Sequence, residues 1–210
     1  MRKTGMKRFI ALTMVLCTLM VLATGCGNKN AQAATAAKSK IVHPKIQMEM
    51  KDGSKMVFEL YPEYAPETVN NFVKLSKAGF YNGLTFHRII KGFMVQGGDP
   101  LGNGTGGASK NIKGEFKSNG FTKNTLKHVK GVISMARGKD LNSASSQFFI
   151  MDGPGDFLDG NYAAFGKLIS GAATLDKIAN TPVVLNTETN EQSQPKTPVI
   201  IKKVTVLTQK

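Results

Sequence analysis

At 210 residues the chain can hold one domain of ordinary size with appendages, and its 41% hydrophobic and 20% charged residues exclude a disordered or collagen-like polymer. The formal charge of +14, from 28 Lys/Arg against 14 Asp/Glu, suits anionic surroundings, but the lysines are scattered through turns rather than clustered with aromatics, which argues against a nucleic-acid partner. Both cysteines, Cys17 and Cys26, lie early with no C-x-x-C pair, and His43, His87 and His128 lack metal-site spacing, so neither a metal nor a cofactor is expected.

The first eight residues carry Arg2, Lys3, Lys7 and Arg8, and residues 9–23 are apolar except for Thr13, Cys17 and Thr18. That run is shorter than the roughly 20 apolar residues of a membrane-spanning helix and fits a secretory signal peptide. It ends in Leu22-Ala23-Thr24-Gly25-Cys26, which resembles the bacterial lipobox, with Ala23 where that pattern usually carries leucine. The expectation is a lipoprotein signal over 1–25, followed by lipidated Cys26 and a flexible polar tether over 26–42. A domain then fills 43–210. An ordinary signal cut near residues 31–37 is the alternative. Without the four leading cations the balance is 24 against 14, or +10, which suits a phospholipid surface or anionic wall polymers as partners. The expected location is the extracytoplasmic face of a bacterial cell membrane, anchored by lipid.

Within the domain, residues 46–50 and 56–60 alternate apolar and polar, and Asp52-Gly53 between them signals a hairpin. Pro66 and Glu67 open a helix over 66–78, with Val69, Phe72, Val73 and Ser76 on one face and Gly79 as its stop. Two β-rich runs, 84–90 and 93–96, flank a Lys91-Gly92 turn. Strand periodicity puts Phe86, Arg88 and Ile90 on one face, with Thr85, His87 and Ile89 on the other. An arginine in an otherwise apolar strand is costly to bury unless it is paired or faces a cleft. Spacing alone is equally compatible with a hairpin whose arginine reaches solvent.

Residues 100–130 are rich in Gly, Asn and Lys and read as a functional surface loop or a disordered one. Gly102-Asn103-Gly104-Thr105-Gly106-Gly107 formally satisfies G-x-G-x-x-G, but no strand-to-helix context surrounds it, so nucleotide binding is not expected. Short β-like runs follow at 131–136, 146–150 and 162–169, with Gln147 and Phe149 sharing one face and Phe148 and Ile150 the other. A second helix is expected over 172–180, a polar loop over 181–195 and a last strand over 199–207. Many short strands with two helices point to an antiparallel barrel or sandwich, without internal repeats. The part after Cys26 holds no G-x-S-x-G elbow, no free cysteine and no carboxylate pair in an apolar setting, so covalent and metal chemistry are not expected.

Five motifs in order resemble the cyclophilins, the family of peptidyl-prolyl cis–trans isomerases. They are Phe86-His87-Arg88-Ile89-Ile90 with Gly92-Phe93-Met94 and Gln96-Gly97-Gly98-Asp99, residues 103–107, residues 131–136, residues 146–150, and Leu158-Asp159-Gly160 leading to Phe165-Gly166. The resemblance covers about 45–207. It implies a mostly β fold, an eight-stranded antiparallel barrel capped by two α-helices, with the site on its outer face. It further implies peptidyl-prolyl isomerisation of proline-containing polypeptides without a cofactor; with the leader over 1–25, the expected substrates are exported chains, and the expected state is a monomer. By motif position Arg88 is the catalytic cation, acting with Phe93 and Gln96. Met94, Phe149 and Leu158 complete the proline pocket, while Ala136 (through its backbone) and Gln147 hold the flanking peptide. Phe157 stands where many eukaryotic members have tryptophan, which implies weak cyclosporin binding, and Tyr162 replaces a common histidine. The loop over 137–145 is about one residue longer than in familiar eukaryotic members, so no role is carried onto it. The same groove without catalysis, a proline-peptide-binding chaperone module, is the rival reading; a surface adhesin using the +10 charge is a third.

Overall fold

The computed structural model describes residues 42–207; the expected signal segment, Cys26 and the tether up to residue 41 lie outside them. Among the described residues no helix is long and apolar enough to cross a membrane. Ten strands and two α-helices follow one another as β1 (Lys45–Met50), β2 (Lys55–Leu60), α1 (Pro66–Lys77), β3 (Thr85–Ile90), β4 (Met94–Asp99), β5 (Val132–Met135), β6 (Phe148–Met151), β7 (Ala164–Ser170), α2 (Ala172–Ala179), β8 (Val183–Asn186), β9 (Glu191–Pro195) and β10 (Val199–Leu207). Eight of the strands close an antiparallel barrel in the order β1-β10-β3-β4-β6-β5-β7-β2, and the two helices cap it. Closure leaves no free sheet edge in the barrel.

β1 and β2 form because their apolar residues recur every second position: Ile46, Met48, Met56 and Phe58 are all buried. Inside the barrel, Phe72 of α1 stacks on Tyr81 at 4.8 Å and meets Phe148 at 5.4 Å and Phe165 at 5.1 Å. Helix α1 starts at Pro66, but Ala65 before it has no side chain able to cap the exposed N–H groups. The cap comes from Glu115, inside the Gly- and Lys-rich stretch 100–130. Its carboxylate accepts the Glu67 N–H at 2.9 Å, the Thr68 N–H at 2.8 Å and the Thr68 hydroxyl at 2.7 Å. A negative charge is favoured at that end of the helix. The stretch is therefore pinned down, and it also carries the 3₁₀ turn Lys117–Asn119 and an Ile112–Ala144 bridge.

The wall β4–β6–β5–β7 is buried on both faces. Val95, Ile133, Phe148, Ile150 and Phe165 join the barrel core, while Met94, Val132, Phe149, Met151 and Ala164 form a second, smaller cluster outside it. Period-two alternation makes one set of strands serve two apolar environments.

Two expectations are corrected. On β3, Phe86 does not share a face with Arg88. Phe86 pairs with Gly97 and Arg88 with Gln96, so His87 is an extra residue, a β-bulge. The bulge reverses the alternation: Phe86 and Ile89 enter the core, while Arg88 and Ile90 face outward. The facing strand has its own irregularity at Gly98, whose φ of 84° suits glycine and whose absent Cβ would strike the Ser146 carbonyl. Second, residues 181–195 are not a loop; they contain the antiparallel hairpin β8–β9. It lacks apolar alternation because most of its side chains meet solvent, and only Ser193 on β9 is fully buried.

Replacing Glu115 by alanine strands three donors at the start of α1 and is expected to lower unfolding stability by about 3 kcal/mol. Urea titration of the two proteins, compared by midpoint at equal m, measures it; equal midpoints would refute the capping role.

Candidate active site

The bulge on β3 and the register of β4 and β6 converge on one outer surface. Arg88 lies opposite Gln96 on β4, which in turn lies opposite Phe149 on β6. A concavity of 350 Å³ opens there, lined by Arg88, Phe93, Met94, Gln96, Ala136, Arg137, Phe149, Phe157, Leu158 and Tyr162. Met94, Phe149 and Leu158 are buried beneath it. Phe93 and Tyr162 form walls, the latter edge-on to Phe149 at 5.7 Å. Phe157 sits at the rim, 69% exposed and 5.5 Å from Phe93 ring to ring. Of the residues singled out from sequence, Gln147 stands one layer behind, as the acceptor of the Gln96 amide at 2.8 Å.

The polar side of the site is a relay of amides. Gln147 donates its own amide to the carbonyls of Gly104 at 3.0 Å and Gly106 at 2.7 Å, which fixes the direction of its carbonyl oxygen toward Gln96. Gln96 is thereby oriented to offer its oxygen to Arg88 Nη1 at 3.3 Å. Nη1 also lies 3.5 Å from the Met94 sulfur. The other edge of the guanidinium is held by Glu191 on β9, with Nε–Oε2 at 2.6 Å and Nη2–Oε1 at 2.8 Å. The Ala136 N–H donates to the main-chain carbonyl of Gln147 at 2.9 Å, which ties the far wall to the segment that carries the relay.

Sequence reading passed over three residues that shape the site. Arg137 lays its guanidinium 4.6 Å from the centre of the Tyr162 ring and 5.2 Å from Phe116. Such cation–π contacts brace an aromatic wall. His128, fully buried, stacks behind Phe149 at 5.9 Å. One of its ring nitrogens lies 2.9 Å from an Asp159 oxygen and the other 3.0 Å from the Ser134 hydroxyl. Glu191 was hidden in the stretch expected to be a loop. Of these, only His128 carried a visible signal, as one of three histidines, and its spacing pointed nowhere.

Burial lowers the His128 pKa below the usual 6.5 despite the nearby Asp159 carboxylate. His87, the bulge residue, is also lowered by burial, and neither of its ring nitrogens has a hydrogen-bond partner. Among the described residues no three or more His, Cys, Asp or Glu gather into a metal-binding group. With the guanidiniums of Arg88 and Arg137 above an apolar floor, the site can grip a ring and offer a directed cationic donor beside it. Its lining has no nucleophile poised with a base, since the Ser134 hydroxyl beside His128 is fully buried and does not reach the concavity.

Histidines with depressed folded pKa values stabilise the fold fully above their unfolded pKa, and that contribution is lost as pH falls through the folded one. Thermal melts are therefore expected to shift downward as pH is lowered from 7.5 to about 5.5, across the 6.5 of an ordinary imidazole, and less so in a His87→Leu variant. Identical pH slopes in the two proteins would contradict this.

Comparison with known proteins places these features. The family described as cyclophilin type peptidyl-prolyl cis-trans isomerase/CLD matches residues 45–206. Peptidyl-prolyl cis-trans isomerase B of Bacillus subtilis is 48% identical over 136 residues, covering 64% of this chain and 90% of the relative. Peptidyl-prolyl cis-trans isomerase-like 3 of Gallus gallus is 44% identical over 160 residues, or 74% of this chain and 91% of the relative. Among solved structures, a cyclophilin type peptidyl-prolyl cis-trans isomerase of Cryptosporidium parvum superposes with a TM-score of 0.69 at 33% identity, covering 80% of this chain and 100% of that one. The same protein crystallised in the presence of the dipeptide Ala-Pro superposes at 0.68, with 34% identity and coverage of 79% and 99%.

Proposed function

The chain belongs to the cyclophilin-type peptidyl-prolyl cis–trans isomerases and catalyses rotation about X–Pro bonds, and we propose that Arg88 does so by stabilising the twisted amide. The carrying observation is that Arg88 and its partner Gln96 border a floor made of Phe93, Met94, Phe149 and Leu158. That floor accepts a pyrrolidine ring by apolar contact. Rotation about the preceding bond breaks amide resonance, with a barrier of about 18–20 kcal/mol, and takes tens to hundreds of seconds unaided. At the twisted geometry the prolyl nitrogen becomes pyramidal and acquires a lone pair. A guanidinium N–H directed from Nη1 donates to that lone pair, and gains little from the planar ground state, where the pair is delocalised. Preference for the transition state is what accelerates the step. No covalent bond forms or breaks and no proton is transferred, so the chemistry calls for no cofactor.

Gln96 and the backbone at Ala136 hold the polar main chain on either side of the proline, with Gln147 acting through Gln96, so that one end stays fixed while the other turns. Phe157 and Tyr162 flank the ring. Lysine in place of Arg88 keeps the charge but loses the planar fork that matches Gln96 and Glu191 together. Expected in a proline-peptide isomerisation assay is a loss of about 10²–10³ in kcat/KM for Arg88→Ala, and a severe loss for Arg88→Lys. Undiminished activity in Arg88→Ala would remove the proposed mechanism.

We further propose that this isomerase is a lipid-anchored, extracytoplasmic bacterial protein that acts on exported chains. Support comes from the basic start, the apolar run over 9–23 and the Leu22-to-Cys26 sequence. Each buried CH₂ of an acyl chain contributes about 0.8 kcal/mol, so two chains on Cys26 anchor durably where one does not. The reading includes a polar tether over 26–42, a monomeric isomerase domain over 43–210, and anionic wall polymers as neighbours for the excess of basic residues. Cys26→Ala is expected to move the protein from the membrane fraction to the medium; unchanged membrane fractionation would overturn the anchor.

A further inference from the structure

We infer that Glu191, on the β8–β9 hairpin outside the barrel, is a positioning residue for the isomerase reaction: it fixes the guanidinium of Arg88 before substrate arrives. This rests on the assignment of Arg88 as the catalytic donor. Arginine has five N–H donors on a long flexible stem. Two nitrogens on one edge, Nε and Nη2, meet the two carboxylate oxygens of Glu191 at 2.6 and 2.8 Å. Such a paired contact fixes the plane of the guanidinium as well as its position, which a single bond cannot do. The contacts on the cavity side are longer, 3.3 Å to Gln96 and 3.5 Å to the Met94 sulfur, and are the ones a substrate can displace. Glu191 thus holds the outer edge while the inner edge stays available.

The hairpin is built to present this carboxylate. At its tip the Asn186 side chain accepts the Glu188 N–H at 2.9 Å and the Thr189 N–H at 3.3 Å, and Asn190 takes a φ of 53°, closing the turn directly before Glu191. Asn186 is also the register partner of Glu191, so the residue sits at the first, turn-fixed position of β9. Ser193, two residues on, is buried and is the extra residue where the register shifts opposite Val184 and Leu185. The Arg88 guanidinium, helped by the neighbouring Ser193 hydroxyl, holds the Glu191 carboxyl below the ordinary carboxylate range. Both partners of the ion pair are about one-third exposed, at 31% and 32%. A pair in that setting contributes little to global stability. Its consequence is orientational: side-chain freedom is given up before the substrate binds and need not be lost on the way to the transition state.

The test uses four forms of the full-length protein: wild type, Glu191→Ala, Glu191→Gln and, as a control on the same hairpin, Glu188→Gln. Steady-state kinetics on a proline peptide are combined with ¹⁵N NMR of arginine side chains. Expected are a wild-type Arg88 Nε–H that exchanges slowly with solvent, and a kcat about tenfold lower in Glu191→Ala with KM unchanged and Nε–H exchange accelerated. Glu191→Gln, which keeps one acceptor, should fall between, and Glu188→Gln should match wild type. Full activity in Glu191→Ala, an equal loss in Glu188→Gln, or a freely exchanging Arg88 Nε–H in wild type would each overturn the inference. The last readout stands even if a variant fails to fold. An inactive wild type would instead overturn the assignment of function itself.

Discussion

The bulge at His87 is the constraint on which the site depends. A regular strand carrying Phe86 into the core would also turn Arg88 inward, among fully buried apolar side chains. An unpaired guanidinium there would cost far more than a small domain can spare. One additional residue on β3 reverses the alternation, keeps Phe86 and Ile89 in the barrel and delivers Arg88 to the outer face beside Gln96. The displaced ring of His87 accepts the consequence: both its nitrogens are buried without hydrogen bonds, and burial lowers its pKa. Re-aiming a side chain toward a site, within a surrounding barrel, is a recurrent use of bulges.

Once Arg88 is outside, the barrel wall supplies the rest without special construction. Strands β4 and β6 bury one face in the core and the other in the floor of the concavity, so the residues proposed to grip a proline ring are the alternate partners of residues that hold the barrel closed. Rigidity of the core is thereby passed to the pocket. Polar groups follow the same logic: Gln147 is fixed by the carbonyls of Gly104 and Gly106, Gln96 by Gln147, and Arg88 lies between Gln96 and Glu191. Each side chain is oriented by the one behind it, which suits a reaction whose acceleration comes from a donor already in place rather than from bond-making.

Much of this was legible in the sequence where periodicity is local. The alternation of β1 and β2, the face of α1, the split of Gln147 and Phe149 from Phe148 and Ile150, and the bounds of β10 all follow from neighbouring residues. What escaped depends on distant partners. The bulge exists because His87 is skipped by β4, which nothing within β3 announces. Glu115 caps a helix 47 and 48 residues earlier in the chain. Hairpin β8–β9 has no period-two apolar pattern, its Val184 and Leu185 being exposed and β9 polar, and it is secured by docking on β3, where Glu191 reaches Arg88 across 103 residues. Arg137 lies in a loop whose length discouraged any assignment, yet it braces Tyr162. Resemblance to the cyclophilins named the cavity residues, and geometry added the groups that orient them.

The central claim is that Arg88 acts on the twisted amide and contributes little to binding either planar isomer. Two-dimensional exchange NMR on a proline peptide at cis–trans equilibrium reads both quantities in one sample, from exchange cross-peaks and from shifts on titration. For Arg88→Ala the account predicts that enzyme-driven exchange collapses while the affinities of both isomers stay within about threefold of wild type, as expected when only transition-state interactions are removed. Affinity and exchange falling together, in equal measure, would contradict it.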